Sequence, residues 1–267
     1  MRNISELVAA LGTSGRTLLG FSGGVDSSLL AVAGRSALGR DDFLAVVGRS
    51  ASYPEVQYAR AREIAAQFDV PLLEIDTFEL DDPRYLANPT NRCYFCKSEL
   101  WTRLRDVAKE RGFDAIIDGT NADDLGEHRP GLAAAAELRV RSPLAELGWS
   151  KDDVRAAARE LGIPLWAAPA APCLSSRVRY GLEITSERLE QVEKGEEFIR
   201  SLGVTGDLRV RHLGAVARIE TLPAEMPLVQ RAWQRVTAYF AELGFGAVEL
   251  DLQGYRRGSL LVLERPA

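Results

Sequence analysis

The sequence predicts an α/β protein built on a parallel sheet, with a smaller α+β domain at its C-terminal end. Over the first two thirds of the chain, short aliphatic and β-branched runs alternate with helical stretches, which is the pattern of βαβ units. The pattern changes near residue 183, where long helices and paired strands follow. The chain has 267 residues and 46% hydrophobic content, enough to bury one large core and a smaller one.

Four runs in the first part have the composition of strands, namely RTLLGFS, FLAVVG, PLLEID and DAIIDGT. The N-terminal stretch MRNISELVAALG is amphipathic and predicts a helix rather than a signal peptide. A second helix is predicted over EVQYARAREIAAQF, with Arg60, Arg62 and Glu63 turned away from the sheet. Its apolar residues fall near one face, which should cover the sheet; they are Val56, Ala59, Ile64, Ala65 and Phe68.

The C-terminal part predicts a different arrangement. A helix over TSERLEQVEKGEEFIRSLG, capped by Thr185 or Ser186, precedes the strand runs DLRVRHLG and VARIET. A helix over LVQRAWQRVTAYFAELG and two further strand runs, AVELDLQG and SLLVLE, complete it. Helices could then cover one face of a small sheet. We therefore expect domains at residues 1–182 and 183–267, joined by the proline-rich loop AAPAAPCLSSRVRYG.

Composition and charge exclude some classes of protein. The formal net charge is −5 and the pI is near 5.3, which argues against broad binding to RNA or DNA and favours a small-molecule substrate. No apolar run approaches the roughly 20 residues that span a bilayer. These features predict a cytoplasmic protein that has neither a nucleic-acid nor a membrane partner.

The stretch SGGVDSS, between a strand and a helix, has the features of a phosphate-binding loop. Glycines allow a tight turn, and the helix N-terminus supplies amide groups and partial positive charge. No Gly-Lys-Ser or Gly-Lys-Thr follows, so it is not a Walker loop. Asp26 would repel phosphate unless a divalent cation lies between them, which implies Mg²⁺. The alternative is an ordinary glycine turn capped by Asp26 or Ser27. The predicted binding residues are Ser22, Gly23, Gly24, Val25, Asp26, Ser27 and Ser28.

The three cysteines of the chain suggest ligation or reactivity rather than a disulfide framework, because their number is odd. Cys93 and Cys96 have CxxC spacing at the start of a helix, where the helix N-terminus favours thiolates. Two cysteines complete neither a zinc site nor a 4Fe-4S cluster. A three-cysteine centre would have to recruit Cys173 and would leave one iron without a protein ligand. The alternative is a redox pair or buried thiols, with Cys173 a small loop residue.

Charged residues form two further groups. Arg209 and Arg211 are two apart in LRVRHLG, so on a strand they share a face and could grip a phosphate. A solvated strand face is the alternative. An acidic segment follows the strand run AII, at the strand end where ligands bind in open parallel sheets, although it could equally be a solvated turn. Its members are Asp118, Asn121, Asp123 and Asp124.

The whole string SGGVDSS resembles the pyrophosphate loop (PP-loop) of the N-type ATP pyrophosphatases, which split ATP into AMP and pyrophosphate to adenylate a substrate. This resemblance implies a Rossmann-like sheet of the adenine nucleotide alpha hydrolase type, with ATP as cosubstrate. It also implies that the acidic segment lines the site of the nucleotide and Mg²⁺. Which of Asp118, Asp123 and Asp124 contacts ATP or the metal stays open.

Further motifs narrow the resemblance. RCYFCK, DGTNADDLGEHRPG, SPLAELG, APCLSSRVRYG and LRVRHLG follow in that order, and together they resemble the LarE family of ATP-dependent sulfur transferases over nearly the whole chain. The resemblance implies adenylation of the carboxylates of pyridinium-3,5-biscarboxylic acid mononucleotide. Their conversion to thiocarboxylates is a step in making the nickel-pincer nucleotide cofactor.

The resemblance also implies roles for particular residues. Cys173 would be catalytic, with Asp26 at the nucleotide and Arg177 steadying the acyl adenylate. Arg209, Arg211 and Glu197 would bind the substrate phosphate. In one branch of the family the cysteine that matches Cys173 gives up its own sulfur and becomes dehydroalanine. In another branch, three cysteines hold a 4Fe-4S cluster whose unligated iron carries sulfide.

We favour the cluster branch, with Cys93, Cys96 and Cys173 as ligands, because a sacrificial cysteine needs no CxxC and destroys the protein after one turnover. Both routes place Cys173 at the centre of the chemistry, so the sacrificial route stays open. A third possibility is a tRNA thiolase with the same loop and a similar cluster, against which the acidic net charge argues. A homo-oligomer and a sulfide source or sulfur-donor protein are expected partners.

Overall fold

The structure is a computed structural model that describes residues 2–126, 130–168, 172–256 and 260. Helices and strands alternate through the first part, and helices flank three strands in the second. In chain order the elements are α1 Ile4–Gly12, β1 Thr17–Gly20, α2 Val25–Leu38, β2 Phe43–Arg49, α3 Glu55–Gln67, β3 Leu72–Asp76, α4 Pro83–Leu86, α5 Arg92–Arg111, β4 Ala115–Ile117, α6 Pro130–Glu137, α7 Pro143–Glu146, α8 Lys151–Glu160, α9 Ser186–Ser201, β5 Leu208–His212, β6 Val216–Thr221, α10 Met226–Arg231, α11 Trp233–Glu242 and β7 Ala247–Leu250.

The chain forms two compact units, and each contains two segments. The first unit comprises Met1–Glu79 and Asn91–Ala171, and the second comprises Leu80–Thr90 and Pro172–Ala267. The short segment 80–90 therefore belongs with the C-terminal part although it lies between β3 and α5 in sequence. The division into domains at residues 1–182 and 183–267 stays a prediction.

The first unit contains a parallel sheet in the strand order β3-β2-β1-β4. Its register pairs Leu19 of β1 with Ala45 of β2 and with Ile117 of β4. The four predicted strand runs all contain a strand of this sheet. The predicted α/β fold class is confirmed, and the carboxyl ends of β1 and β4 lie side by side.

Helices cover both faces of this sheet. Leu19, Ala45 and Val47 on one face belong to a core with residues of α1, α2, α3 and α8. Leu18 and Val46, on the other face, pack with residues of α5 and α6. Because neighbouring strand residues point to opposite faces, both sides of β1 and β2 are apolar. This is why these strands appear as continuous hydrophobic runs in the sequence.

Helix α3 forms where it was predicted, but its buried face is different. Val56 is 58% exposed and Ala59 is also exposed, whereas Gln57 and Tyr58 are buried. The prediction for Val56 and Ala59 was therefore wrong. The reason is local: the side-chain amide of Gln57 donates to the carbonyl oxygen of Ser22 at 3.0 Å, so a polar contact replaces an apolar one at the start of the helix.

The second unit contains a sheet in the order β5-β6-β7, with β5 antiparallel and β7 parallel to β6. Leu208 and Val210 pack into a core with residues of α9, α10 and α11, so the alternating residues of β5 face the other way. The Thr185 side chain caps α9 by accepting from the amide of Arg188, which confirms that cap. The prediction of a single helix over residues 228–244 was wrong, because α10 ends at Arg231 and a separate helix, α11, begins at Trp233. The predicted strand SLLVLE lies outside the described residues, apart from Leu260.

Within the described residues, no helix is both long and apolar enough to cross a membrane.

Candidate active site

The SGGVDSS loop connects β1 to α2 and ends in an open helix N-terminus. Gly23 has a φ of +64°, a left-handed conformation that favours glycine. Gly24 is the N-cap of α2 and offers no side chain to cap the first-turn amides. The hydroxyl of Ser28 is buried and has no hydrogen-bond partner among the described residues. The loop therefore leaves donor groups available to an anion at the start of a 14-residue helix.

Side chains from the loop itself, from Tyr53 and from α3 hold the loop in shape. The Ser27 hydroxyl donates to the Gly24 carbonyl at 3.1 Å and accepts from the Ser22 amide at 3.3 Å. The carbonyl of Ser22 accepts from the Tyr53 hydroxyl at 2.9 Å and from the Gln57 amide at 3.0 Å. Burial raises the pKa of Tyr53, so its hydroxyl stays a donor. The turn is thus fixed before any ligand binds.

Asp26, the carboxylate predicted to hold Mg²⁺, contacts two distant residues. Its Oδ1 accepts from the side-chain amide of Asn121 at 3.0 Å, and its Oδ2 forms an ion pair with Lys151. Lys151 is the first residue of α8, and a capping box between Ser150 and Asp153 fixes that helix end. The lysine therefore balances the charge of the Asp26 carboxylate.

The acidic segment after β4 divides into structural and loop-facing residues. Asp118 is buried and its oxygens accept from Thr120 and Ser142 at 2.7–3.0 Å. Asn121 is also buried and contacts Asp26. Asp123 accepts from the Lys151 amide at 2.8 Å, and Asp124 from the Asn121 amide at 3.1 Å. Asn121 is therefore the member of the segment whose side chain touches the loop.

The backbone of this segment also approaches the loop closely. A Cβ atom built at Gly119 would lie 2.9 Å from the amide nitrogen of Ser27 and 3.3 Å from the Cβ of Asp26. A side chain at Gly119 would therefore fill the space in front of the N-terminus of α2. The glycine keeps that space clear.

Cys93 and Cys96 are the second and fifth residues of α5, three residues apart on one helix face. Cys93 is exposed and Cys96 is half-buried, and both are thiols. Among the described residues, no three His, Cys, Asp or Glu side chains are grouped as metal ligands. The pair fits two ligand positions of a cluster by spacing and donor chemistry. Cys173, the third cysteine of the predicted ligand set, belongs to the second unit.

In the second unit, Arg177 holds the backbone at Cys173. Its guanidinium donates to the carbonyl of Cys173 at 2.9 Å and also to the carbonyl of Pro172. It forms a bidentate ion pair with Glu196 of α9 at 2.9 and 3.0 Å. Burial is the largest single influence and acts to lower the pKa of Arg177, but the charge of Glu196 and its hydrogen bonds act together in the opposite direction, and the pKa is raised. Arg177 therefore stays charged although it is buried.

The two arginines of β5 lie in the same cluster. Arg209 and Arg211 are both buried. The Arg209 guanidinium lies over the Tyr255 ring, with its Cζ atom 5.0 Å from the ring centroid. Arg211 binds Glu220 at 2.8 and 3.0 Å and the Ser176 carbonyl at 3.0 Å. Burial first, and then the charge of Arg177, lowers the pKa of Arg209. Three guanidiniums beside two carboxylates leave an excess of positive charge that a phosphate could balance.

The structure brings together two of the predicted catalytic residues, Cys173 and Arg177, and two of the residues predicted to bind the substrate phosphate, Arg209 and Arg211. Glu197 is exposed on α9, whereas the adjacent Glu196 contacts Arg177 and accepts from the Val210 amide at 3.1 Å. Sequence reasoning did not name Glu196, Glu220 or Lys151. A helix turns about 100° per residue, so only the structure distinguishes Glu196 from Glu197. The one sequence signal for Lys151 is the capping pattern that places it at a helix start.

The fold and the loop together define a nucleotide-binding α/β protein of the PP-loop class. A family model described as NAD synthase matches residues 2–109. An uncharacterised protein of Synechocystis is 43% identical over 96% of both chains. The pyridinium-3,5-bisthiocarboxylic acid mononucleotide synthase of Lactiplantibacillus plantarum is 36% identical, covering 96% of this chain and 92% of its own. An uncharacterised protein of Methanocaldococcus jannaschii is 30% identical over 90% of this chain and 91% of its own.

Similarity at this level over nearly the full length places the chain in the LarE family of ATP-dependent sulfur transferases. The resemblance drawn from its motifs is confirmed. The residue roles inferred with it stay predictions.

Proposed function

We propose that the protein uses ATP to adenylate the carboxylates of pyridinium-3,5-biscarboxylic acid mononucleotide and converts them to thiocarboxylates, a step in nickel-pincer nucleotide synthesis. The observation that carries this proposal is the position of Cys173 in the second unit. Its backbone is held by Arg177 within a buried cluster of three arginines. Sulfur transfer to a phosphorylated acid requires a sulfur-bearing residue beside a site that can bind the phosphate.

The first step is adenylation at the loop of residues 22–28. The substrate carboxylate attacks the α-phosphorus of ATP, the bond to the β-phosphate oxygen breaks, and pyrophosphate leaves. The open N-terminus of α2 and the loop hydroxyls would bind the leaving pyrophosphate. Lys151 would move from Asp26 to a phosphate oxygen, which frees Asp26 to bind the Mg²⁺ that accompanies ATP.

Substrate binding would use the arginine cluster of the second unit. Arg209 and Arg211 would hold the phosphate of the mononucleotide. Glu196 and Glu220 already pair with Arg177 and Arg211, so the cluster is ordered before the substrate arrives. A preformed site lowers the entropy lost on binding. The predicted contribution of Glu197 stays part of this proposal.

The second step is attack of sulfur on the acyl carbon, with AMP as the leaving group. Cys93, Cys96 and Cys173 would hold a 4Fe-4S cluster, which supplies a sulfide that can be replaced after each turnover. In the alternative, the Cys173 thiolate displaces AMP to form a thioester. Loss of the Cys173 α-proton and cleavage of its Cβ–S bond then leave the thiocarboxylate and dehydroalanine. Both routes need Cys173 at the sulfur centre, either as a ligand of the cluster or as the sulfur donor itself.

A reducing cytoplasm would keep the three thiols available. A homo-oligomer and a source of sulfide or a sulfur-donor protein remain expected partners.

The test is anaerobic reconstitution with iron and sulfide, followed by counting of both and by assay of thiocarboxylate formed per chain. The wild type is expected to bind about four irons and to transfer more than one sulfur per chain. The Cys93→Ser and Cys173→Ser variants should lose the cluster. Ser98→Ala, on the same helix, is the control and should load fully.

The outcomes separate the routes. One sulfur per chain, with loss of one H₂S from the protein mass, would assign the donor role to Cys173 itself. Full cluster loading in Cys93→Ser would refute the ligand set. Pyrophosphate release that depends on tRNA, and not on the mononucleotide acid, would overturn the proposed substrate.

A further inference from the structure

The segment 80–90 packs against the loop that carries Cys173. The two segments are far apart in the chain, because 82 residues lie between Thr90 and Cys173. The segment 80–90 precedes the Cys93–Cys96 pair directly along the chain. Residues 80–90 and 172–184 are both part of the second unit. The contacts between them involve buried side chains rather than strand pairing, so particular residues carry them.

Asn88 makes most of these contacts. It is completely buried and has a φ of +51°, which asparagine tolerates better than most residues. Its side-chain amide donates to the carbonyl oxygens of Arg179, Leu182 and Val178 at 2.8, 3.0 and 3.3 Å. The backbone carbonyl of Asn88 accepts from the Gly181 backbone amide at 3.0 Å. An amide group has two donor hydrogens, so at least one is shared. One side chain thus satisfies backbone groups across residues 178–182.

Tyr85 fixes the other end of the loop. Its hydroxyl lies 2.5 Å from the Ser175 hydroxyl, and both residues are buried. Ser175 is two residues after Cys173. The Leu86 carbonyl also accepts from the Ile184 amide at 2.9 Å. The segment therefore holds the loop on both sides of Arg177.

These contacts differ in kind from those made by the arginines. Arg177 and Arg211 bind the loop carbonyls of Cys173 and Ser176, and both belong to the cluster that would bind the substrate phosphate. A guanidinium that reorients toward an anion can release a carbonyl. Asn88 and Tyr85 are neutral and buried, so an incoming anion gives them no reason to move.

We propose that Asn88 and Tyr85 are positioning residues that hold Cys173 in place for sulfur transfer. This inference rests on the proposed function for its catalytic meaning. Adenylation at the loop of residues 22–28 should not need them, whereas attack at the acyl carbon should. Misplacement of a reacting group by about 1 Å can slow a reaction about 100-fold.

The test separates the two chemical steps in single-turnover assays with ATP and the mononucleotide acid. The variants are Asn88→Gly, which keeps the positive φ without strain, and Tyr85→Phe, which removes only the hydroxyl. Thiocarboxylate formation should fall about 10- to 100-fold in Asn88→Gly and about fivefold in Tyr85→Phe. Pyrophosphate release should stay within about twofold of the wild type. Tyr239→Phe is the matched control, because Tyr239 stacks on Phe198 of α9, and it should change neither step.

A second readout does not depend on turnover. Alkylation of Cys173 by iodoacetamide, followed by mass spectrometry, should be about fivefold faster in Asn88→Gly, because release of the loop exposes the thiol. Equal loss of both chemical steps, or an unchanged alkylation rate in a variant with lowered thermal stability, would overturn the proposal and leave a structural role. If the wild type forms no thiocarboxylate, the proposed function fails, and the alkylation rate alone then decides whether Asn88 positions Cys173.

Discussion

Gly23 and Gly119 allow neighbouring segments of the chain to pack closely at the nucleotide loop. A Cβ at Gly23 would lie 3.0 Å from the Cβ of Ala61, and the residue also has a positive φ. At Gly119 the φ lies outside the left-handed region, but a Cβ would lie 2.9 Å from the Ser27 amide. Any side chain would be strained at Gly23. At Gly119 the constraint is steric alone, which makes it the cleaner position to test.

Replacement of Gly119 by alanine should weaken ATP binding about tenfold, because the added methyl either obstructs the N-terminus of α2 or displaces the loop. Isothermal titration calorimetry with ATP and Mg²⁺ measures the change. Gly126→Ala is the matched control, since a Cβ there meets no atom of the described residues within 4 Å. Wild-type affinity in Gly119→Ala would mean that the phosphates do not occupy this space.

The pairing of β5 with β6 places charged residues side by side on one face of the small sheet, and ion pairs accommodate them there. The register places Arg211 opposite Arg218 and Arg209 opposite Glu220. Like charges that lie directly opposite destabilise a sheet. Arg211 instead binds Glu220, and Arg218 binds Glu249 of β7 at 2.5 Å. Each arginine therefore has a carboxylate on a neighbouring strand, and the strands stay in register.

These two ion pairs should differ in their effect on stability. Removal of Arg211 leaves Glu220 buried and charged, so Arg211→Met should lower the free energy of unfolding by about 3–5 kcal/mol. Arg211→Met combined with Glu220→Leu should recover most of that loss. Arg218→Met is the control at a pair that is partly exposed to solvent, and it should change stability by about 1 kcal/mol or less. Urea unfolding measures all three. Equal losses in Arg211→Met and Arg218→Met would contradict the argument from burial.

At the scale of the whole molecule, the chain runs from the first unit into the second and back before it reaches the cysteine pair. Residues 80–90 belong to the second unit, and α5 with Cys93 and Cys96 belongs to the first. The segment 80–90, which directly precedes α5 in the chain, therefore folds with the unit that contains Cys173.

The stability of the second unit should depend on pH through His212. Burial, and then the charge of Arg188, lowers the pKa of this histidine to about 4. Its Nδ1 accepts from the Gly214 amide at 3.3 Å, so Nε2 carries the proton and donates to Gln191 at 2.9 Å. Below about pH 6.5 the unfolded chain binds a proton that the folded unit does not bind until about pH 4. The free energy of unfolding should therefore fall as the pH falls through this window, and stop falling below it.

Urea unfolding at about pH 7, 6, 5 and 4, one unit apart so that the series spans the window, checks this expectation. His212→Gln should lose the part of the pH dependence that the histidine causes, because glutamine does not titrate. The difference in stability between wild type and variant should shrink as the pH falls. Parallel curves for the two proteins would show that His212 does not cause the dependence.

Local patterns were sufficient to predict the sheet, most of the helices and the phosphate loop. The runs TLLG and FLAVV are apolar on both faces because helices cover both faces of the parallel sheet. The turn of SGGVDSS follows from its glycines. Local pattern failed at Val56, where apolar periodicity gave no indication that Gln57 would be buried by a hydrogen bond to Ser22.

The sequence by itself determined the class of fold, the nucleotide loop and the family, because each depends on residues that are close together in the chain. Only the tertiary structure decided which distant side chains meet. Asn121 and Lys151 reach Asp26 from 95 and 125 residues away, and Glu196 rather than its neighbour faces Arg177. Burial and long-range hydrogen bonds select these pairs, and neither can be inferred from the order of the residues alone.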